Sequence, residues 1–508
     1  MIYIFIALGI LIFFIFVPVF GKKRSKVRYT LREEKGPYTL PEKFMWGTST
    51  AAQQIETQQK TDWTDFENSA YKNRRFDTLA PGKAKPGHIH NLGAYSKEVI
   101  KKKTDHDARI EKDLALAKKL GHNAYRFSVD WARLFPKPGM SSPSKAGIAF
   151  YQRVLDACRK NKLTPSLTLF HFSSPSWLWQ DTVKGWENPN TIEEFQSLTR
   201  GVAEHFIDQV DHWCTLNEPM VYVYNGYLDG VFPPLEQRGN PAKVAPIISN
   251  LLKGHAAAYH ILHDAARAKN KEIQVGLTQH TRAFEPYRNY AVLDRITASI
   301  IEQAFIWDML DAIETGHFAP KTGGARENIP GLAGTQDYVG INYYGRFYVK
   351  TDITRPMKFE VLMHDEHDPG EKINQLGWAL YPKGFYDVLA SAHAKYNKPI
   401  YILENGTADD QDDDKIRQSV LVNHLKEIYH VIKEKGADVR GYFHWSLIDN
   451  FEWAEGFEAR FGLVKIDYAK NFKRIPRPSA ELYREIIEAN GVTEAIWRYY
   501  TALNEANG

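Results

Sequence analysis

The sequence predicts a single (β/α)8 barrel, an α/β fold, preceded by one N-terminal transmembrane helix. Three observations carry that expectation. Eight short apolar, β-rich runs alternate with longer amphipathic ones. Strands that are apolar on both faces and separated by helices indicate a parallel sheet covered on both sides, and eight is the number that closes a barrel. Residues 1–20 carry no charged side chain and are almost wholly Ile, Phe, Leu and Val, about the length a spanning helix needs.

Taken in order, residues 1–20 read as an uncleaved anchor. A cleaved signal would want a basic start and a small-residue cleavage site, whereas Val17-Pro18-Val19-Phe20 is bulky. Lys22, Lys23, Arg24, Lys26 and Arg28 follow at once. The positive-inside rule then places this cluster and the body behind it on the cytoplasmic side of the bilayer, where the cluster also suits anionic headgroups. Residues 21–37 read as a basic, polar linker, 38–490 as one domain without low-complexity breaks, and 491–508 as a C-terminal tail. The expected strands are 44–47, 124–128, 164–170, 212–217, 273–278, 338–343, 400–403 and 441–445. Between them lie helical stretches such as 109–120, where Leu114, Ala117 and Leu120 share a face and Gly121 stops the run.

Composition excludes several classes. The net charge of +4 over 508 residues, with no long basic block in the body, does not suggest a nucleic-acid partner. Two cysteines, Cys158 and Cys214, exclude a disulfide framework and read as reduced, structural thiols. His88 with His90, and Asp105-His106-Asp107, lack a complementary ligand set, and Asp409–Asp414 does not match a calcium-loop spacing. No metal and no organic cofactor is expected. The 12 Trp, 27 Tyr and 27 Phe exceed ordinary usage; besides packing the core, Trp and Tyr offer flat faces for sugar rings.

Two glutamates end strand-like runs in short polar signatures: Glu218 in Thr215-Leu216-Asn217-Glu218-Pro219 and Glu404 in Ile402-Leu403-Glu404-Asn405-Gly406. In a barrel these are the ends of the fourth and seventh strands, at the face where catalytic groups gather. Two carboxylates converging there can divide acid and nucleophile work on a glycosidic bond, about 5 to 5.5 Å apart in a retaining enzyme. Arg126, on the second strand, is a candidate cation beside one carboxylate, and Tyr344 a candidate hydrogen-bond donor to it.

At this point the chain closely resembles glycoside hydrolase family 1, the β-glucosidase and β-galactosidase family, over roughly residues 38–490. The resemblance implies Glu218 as general acid/base and Glu404 as nucleophile, with Leu403 standing for the family's Thr. It further implies that Gln54 binds outer hydroxyls of the sugar, that His171 contacts the same ring and that Asn217 contacts the 2-hydroxyl. Trp445, Glu452 and Trp453, in the run from Trp445 to Gly456, correspond to the stacking platform and hydroxyl ligands of the eighth-strand loop. Trp378 corresponds to the floor of the leaving-group side, and Asn342 and Phe461 complete the expected set. The phosphate pocket of members that take 6-phosphorylated sugars is absent, so neutral glycosides are expected. Gln53 stands where the family has Tyr, and Phe172-Ser173-Ser174-Pro175 replaces its Trp-Asp-x-Pro. Parts of the pattern are similar to archaeal β-glycosidases and to the membrane-anchored plant galactolipid galactosyltransferase branch.

The expected function is therefore a retaining β-glycosidase hydrolysing neutral β-glycosides by double displacement. The alternatives are a membrane-associated transglycosylase moving galactosyl groups between galactolipids, and a carbohydrate receptor without turnover. Expected partners are a small-molecule β-glycoside or glycolipid, and the lipid bilayer through residues 1–20.

Overall fold

The computed structural model describes residues 36–506 apart from 77–84, 181–183, 353 and 355–357. The expected anchor and nearly all of the linker lie outside the described residues. Among the described residues no helix is long and apolar enough to cross a membrane.

Eight parallel strands close a barrel: β1 (Met45–Ser49), β2 (Ala124–Ser128), β3 (Thr164–Phe170), β4 (His212–Asn217), β5 (Gln274–Pro286), β6 (Val339–Thr351), β7 (Ile400–Asn405) and β8 (Val439–Trp445). Each pairs with its sequence neighbour, and β8 pairs with β1 to complete the ring. The strands are buried on both faces, as their unbroken apolar character requires. Helices α1 (Ile110–Lys119), α2 (Lys145–Lys160), α3 (Thr191–Phe206), α4 (Ala245–Ala268), α5 (Asp308–Thr315), α6 (Pro382–Tyr396), α7 (Lys415–Lys435) and α8 (Pro478–Glu488) follow the strands in turn. In α2 the buried stripe Phe150, Tyr151, Val154, Leu155 and Cys158 recurs at three- and four-residue steps. Ser144 caps that helix by accepting from the Gly147 amide at 3.0 Å.

β5 and β6 run well past the expected ends at Thr278 and Tyr343. Beyond a register shift between Thr281 and Ala283 the two remain paired as far as Pro286 and Val349. Phe359–Leu362 adds a third, antiparallel strand to this ribbon above the rim. The sequence reading stopped where the apolar run stopped. The strands do not stop there, because Gln279, His280, Thr281 and Arg282 are polar yet buried.

The opposite end of the barrel is sealed by the two chain ends. Tyr38–Thr39 pairs antiparallel with Gly491–Val492, and the Trp46 indole donates to Asn490 at 3.0 Å. The chain beyond 490 continues into a helix, Glu494–Ala506, whose Trp497 meets Tyr38 edge-on. Cys158 and Cys214 are buried and unbonded to each other.

Candidate active site

The barrel brings Glu218 and Glu404 to one cleft. Glu404 ends β7. Gly406, two residues on, is required because a Cβ there would collide with the Trp445 carbonyl. Asn405 is structural: its Nδ2 donates to the Tyr343 carbonyl at 2.6 Å, and its Oδ1 meets His424 Nδ1 at 2.8 Å and accepts from Tyr442 at 2.9 Å. Glu218 follows β4 in a left-handed conformation, φ 45° and ψ 54°. That conformation is costly for a residue with a Cβ; it turns the side chain into the mouth. Its amide donates to the Thr278 carbonyl at 2.8 Å, and Pro219 opens the short helix that follows.

Arg126 spans the two signatures. Nη1 donates to Glu404 Oε1 at 2.7 Å, Nη2 to Asn217 Oδ1 at 2.7 Å and Nε to Thr168 at 3.1 Å. The Tyr344 hydroxyl donates to the other Glu404 oxygen at 2.9 Å. Because Arg126 can only donate, Asn217 Oδ1 must accept, and Nδ2 is left to donate to His171 Nε2 at 3.0 Å. The His171 ring proton then lies on Nδ1, which has no partner among the described residues. Burial, helped by the Arg126 charge, holds this imidazole well below its ordinary pKa.

One wall beside the two glutamates is built by the loop after β8 and the short helix Ala52–Ile55. Gln54 Nε2 donates to Asn450 Oδ1, the Phe451 carbonyl and Glu452 Oε2 at 3.0, 2.9 and 3.2 Å. The Trp445 indole donates weakly to the same Glu452 oxygen at 3.4 Å. The Trp453 ring lies nearly parallel to His171, with centroids 5.8 Å apart. Gln53 and Phe172, where the chain departs from the pattern it resembles, support this wall. Gln53 donates to Glu67 at 3.0 Å, and Phe172 packs against Trp453 at 5.1 Å. On the other side Trp378, Phe461 and Tyr344 form a triangle with every pair of centroids 6.0 Å apart.

His280 and Arg282, on the extended part of β5, were missed by the sequence reading. His280 Nδ1 meets Glu218 Oε1 at 2.9 Å, and Asn342 Nδ2 donates to the same oxygen at 2.8 Å. Arg282 donates from Nε to His280 Nε2 at 3.1 Å. The available signal is an unbroken polar run, Thr278-Gln279-His280-Thr281-Arg282, directly after an apolar one. The side candidates have local roles. His106 pairs with Asp113 at 2.8 Å, His88 meets the Pro86 carbonyl at 3.0 Å, and Asp414 pairs with Arg417 at 2.7 Å.

The electrostatics are those of two carboxylates sharing one cation. Burial raises Glu404 to about 7, the charge of Glu218 adds to the rise, and Arg126 with Tyr344 opposes it. At Glu218 burial is again the largest influence and raises the pKa. It is outweighed by His280, by the Asn342 hydrogen bond and by Arg126, so the group lies below its ordinary value. Glu452 is pushed up to about 8, chiefly by burial. The hydrogen bonds are asymmetric: Arg126 and Tyr344 hold both oxygens of Glu404, whereas His280 and Asn342 meet Glu218 on Oε1 alone.

The model of Glycosyl hydrolase family 1 matches residues 37–492. Beta-glucosidase A of Thermotoga maritima is 31% identical over 478 residues, covering 90% of this chain and 99% of the relative. A beta-galactosidase of Sulfolobus acidocaldarius is 31% identical over 431 residues, covering 75% and 83%. Among solved structures, a beta-glycosidase from Pyrococcus horikoshii superposes with a TM-score of 0.78 at 33% identity, covering 92% of this chain and 98% of that one. A Thermotoga maritima beta-glucosidase in complex with glucoimidazole gives 0.77 at 30% identity, covering 90% and 100%. Barrel, cleft and relatives agree: the chain belongs to glycosyl hydrolase family 1 and is a glycoside hydrolase.

Proposed function

We propose that the chain is a retaining β-glycosidase of β-glucosidase or β-galactosidase type acting on neutral glycosides. The observation that carries this reading is the asymmetric clamp on the two glutamates. Glu404 is held by Arg126 and Tyr344 at 2.7 and 2.9 Å, an arrangement that favours the ionised nucleophile. Glu218 is held on one oxygen only, by His280 and Asn342, which leaves the other to carry a proton. Glu404 attacks the anomeric carbon while Glu218 protonates the departing oxygen. Water then attacks the anomeric carbon as the bond to Glu404 breaks, Glu218 takes the water proton, and the sugar leaves with its configuration retained. Gln54 and Glu452 bind outer hydroxyls of the sugar, and Trp445 stacks on its face. The relatives named beta-glucosidase and beta-galactosidase support this substrate class.

The test is turnover of aryl β-glucoside, aryl β-galactoside and a galactolipid by wild type and Glu404→Gln, with the first-formed anomer read by proton NMR. Free β-sugar from an aryl glycoside is expected, with a loss of at least about 10³-fold in Glu404→Gln. An initially formed α-anomer would sink the retaining mechanism. Oligogalactolipid in place of free sugar would make the chain a transferase, and no turnover of any substrate would make it a receptor. We further place the body on the cytoplasmic side of a bilayer through residues 1–20, a reading supported by the apolar run and the basic residues after it. Digestion of the catalytic domain by protease added to intact cells would refute that placement.

A further inference from the structure

Arg282 is buried, forms no ion pair among the described residues, and lies with its guanidinium 4.2 Å from the Trp378 ring centroid and 4.3 Å from that of Phe347. Such a cation is costly to bury unless its donors are used. Two of them are: Nη1 donates to the Tyr344 carbonyl at 3.0 Å and Nε to His280 Nε2 at 3.1 Å. Arginine has no acceptor, so His280 Nε2 must accept and the ring proton must sit on Nδ1. That proton points at Glu218 Oε1, 2.9 Å away, where the Asn342 amide also arrives at 2.8 Å. An oxygen receiving two N–H donors is a poor place for a hydroxyl proton.

We propose that Arg282 and His280 are positioning residues for Glu218, fixing Oε1 as the accepting oxygen and leaving Oε2 as the atom that gives and takes the catalytic proton. The inference rests on the glycosidase reading above. As the bond from Glu404 to the anomeric carbon forms, the glycosidic C–O electron pair leaves with the departing oxygen. That oxygen takes the Oε2 proton, and the charge left on Glu218 is stabilised by the two N–H groups already on Oε1. In the second half a water oxygen bonds to the anomeric carbon as the Glu404–carbon bond breaks, its electron pair returning to Glu404, and the water proton returns to Oε2. His280 neither gains nor loses a proton in the cycle. The other charged or titratable groups around Glu218 come from other elements: Arg126 of β2, Glu404 of β7, Tyr344 of β6, His171 after β3 and Glu452 in the loop after β8. None of them hydrogen-bonds to Glu218.

The experiment compares kcat/KM on phenyl and 2,4-dinitrophenyl β-glucosides across pH. The second leaving group departs without a proton and is insensitive to the acid. Wild-type turnover is measured first, so failure of the glycosidase reading is seen separately from failure of the relay. In His280→Leu, phenyl glucoside is expected to slow about tenfold or more and the dinitrophenyl substrate by less than about twofold. The high-pH limb should move upward, because a carboxylate that loses a donor holds its proton more tightly. His280→Asn, which keeps an N–H in place, should restore both. Arg282→Met, which frees the ring to change tautomer, should fall between wild type and His280→Leu on phenyl glucoside. Equal losses on both substrates with an unmoved limb would overturn the proposal, as would His280→Asn behaving like His280→Leu. Should His280→Leu fail to fold, Arg282→Met against His280→Asn carries the same comparison.

Discussion

Arg126 illustrates how much one side chain organises. Its three hydrogen-bonding nitrogens reach Glu404, Asn217 and Thr168, and through Asn217 it sets the orientation of His171. Lysine could not span these positions, since its ammonium is a single point donor. Arg126→Gln is expected to lower kcat/KM by about 10²-fold or more, as removal of a preorganised charged donor does. The sign of the pH effect follows from Arg126 lowering the pKa of Glu404. Without it Glu404 ionises at higher pH, so the acid limb of the profile moves upward. A limb that stays in place or moves down would show that Arg126 does not act on the proposed nucleophile.

At the scale of elements, loops rather than strands carry most of the expected sugar-binding residues, and buried polar joints tie those loops together. Asp62, at the start of the helix Asp62–Lys72, accepts the Trp63 amide at 2.8 Å and the Ser174 amide at 2.9 Å. It thereby joins the loop after β1 to the loop after β3. Its second oxygen has no partner among the described residues, and burial, opposed by those two amides, pushes the carboxyl up to about 8. A raised folded-state pKa contributes stability that is fully present below the ordinary carboxylate value and is lost as pH rises through about 8. Asp62→Asn, which mimics the neutral acid, should therefore melt a few degrees above wild type at pH 8. At pH 4 the two should coincide. A lower melting temperature at pH 8 would mean that the charged carboxylate is tolerated.

On the scale of the whole molecule, the barrel is held shut by contacts between residues far apart in sequence. Asp449, after β8, accepts from Arg477 Nη1 and Nη2 at 2.9 and 2.8 Å, and from the Gly462 amide at 3.0 Å. This bidentate pair pins the eighth-strand loop to the start of α8. Burial disfavours the Asp449 charge most, but Arg477, Arg460 and Arg417 hold the carboxyl below its ordinary value. Breaking a buried pair strands its partner charge, so Asp449→Asn should cost about 3–5 kcal/mol, read as a lower urea midpoint. Because the folded pKa is depressed, that stability is present above the ordinary carboxylate value and is lost as pH falls below it. The wild-type advantage should narrow in acid, and an advantage that widened there would contradict this account.

The sequence by itself determined the barrel and the pair of glutamates. Apolar runs of strand length, buried on both faces, admit few arrangements, and the second, third and fourth strands begin and end where their residue patterns do. The signatures around Glu218 and Glu404 were legible because motif residues such as Asn405, Gly406 and Pro219 answer to local backbone and packing needs. Only the tertiary structure decided what surrounds Glu218. His280 and Arg282 lie on the part of β5 whose polar side chains are buried among hydrogen-bond partners from other elements, so no apolar pattern marks it. Their meaning depends on distances of about 3 Å between residues 60 or more positions apart, and one-dimensional spacing does not encode which nitrogen faces which oxygen.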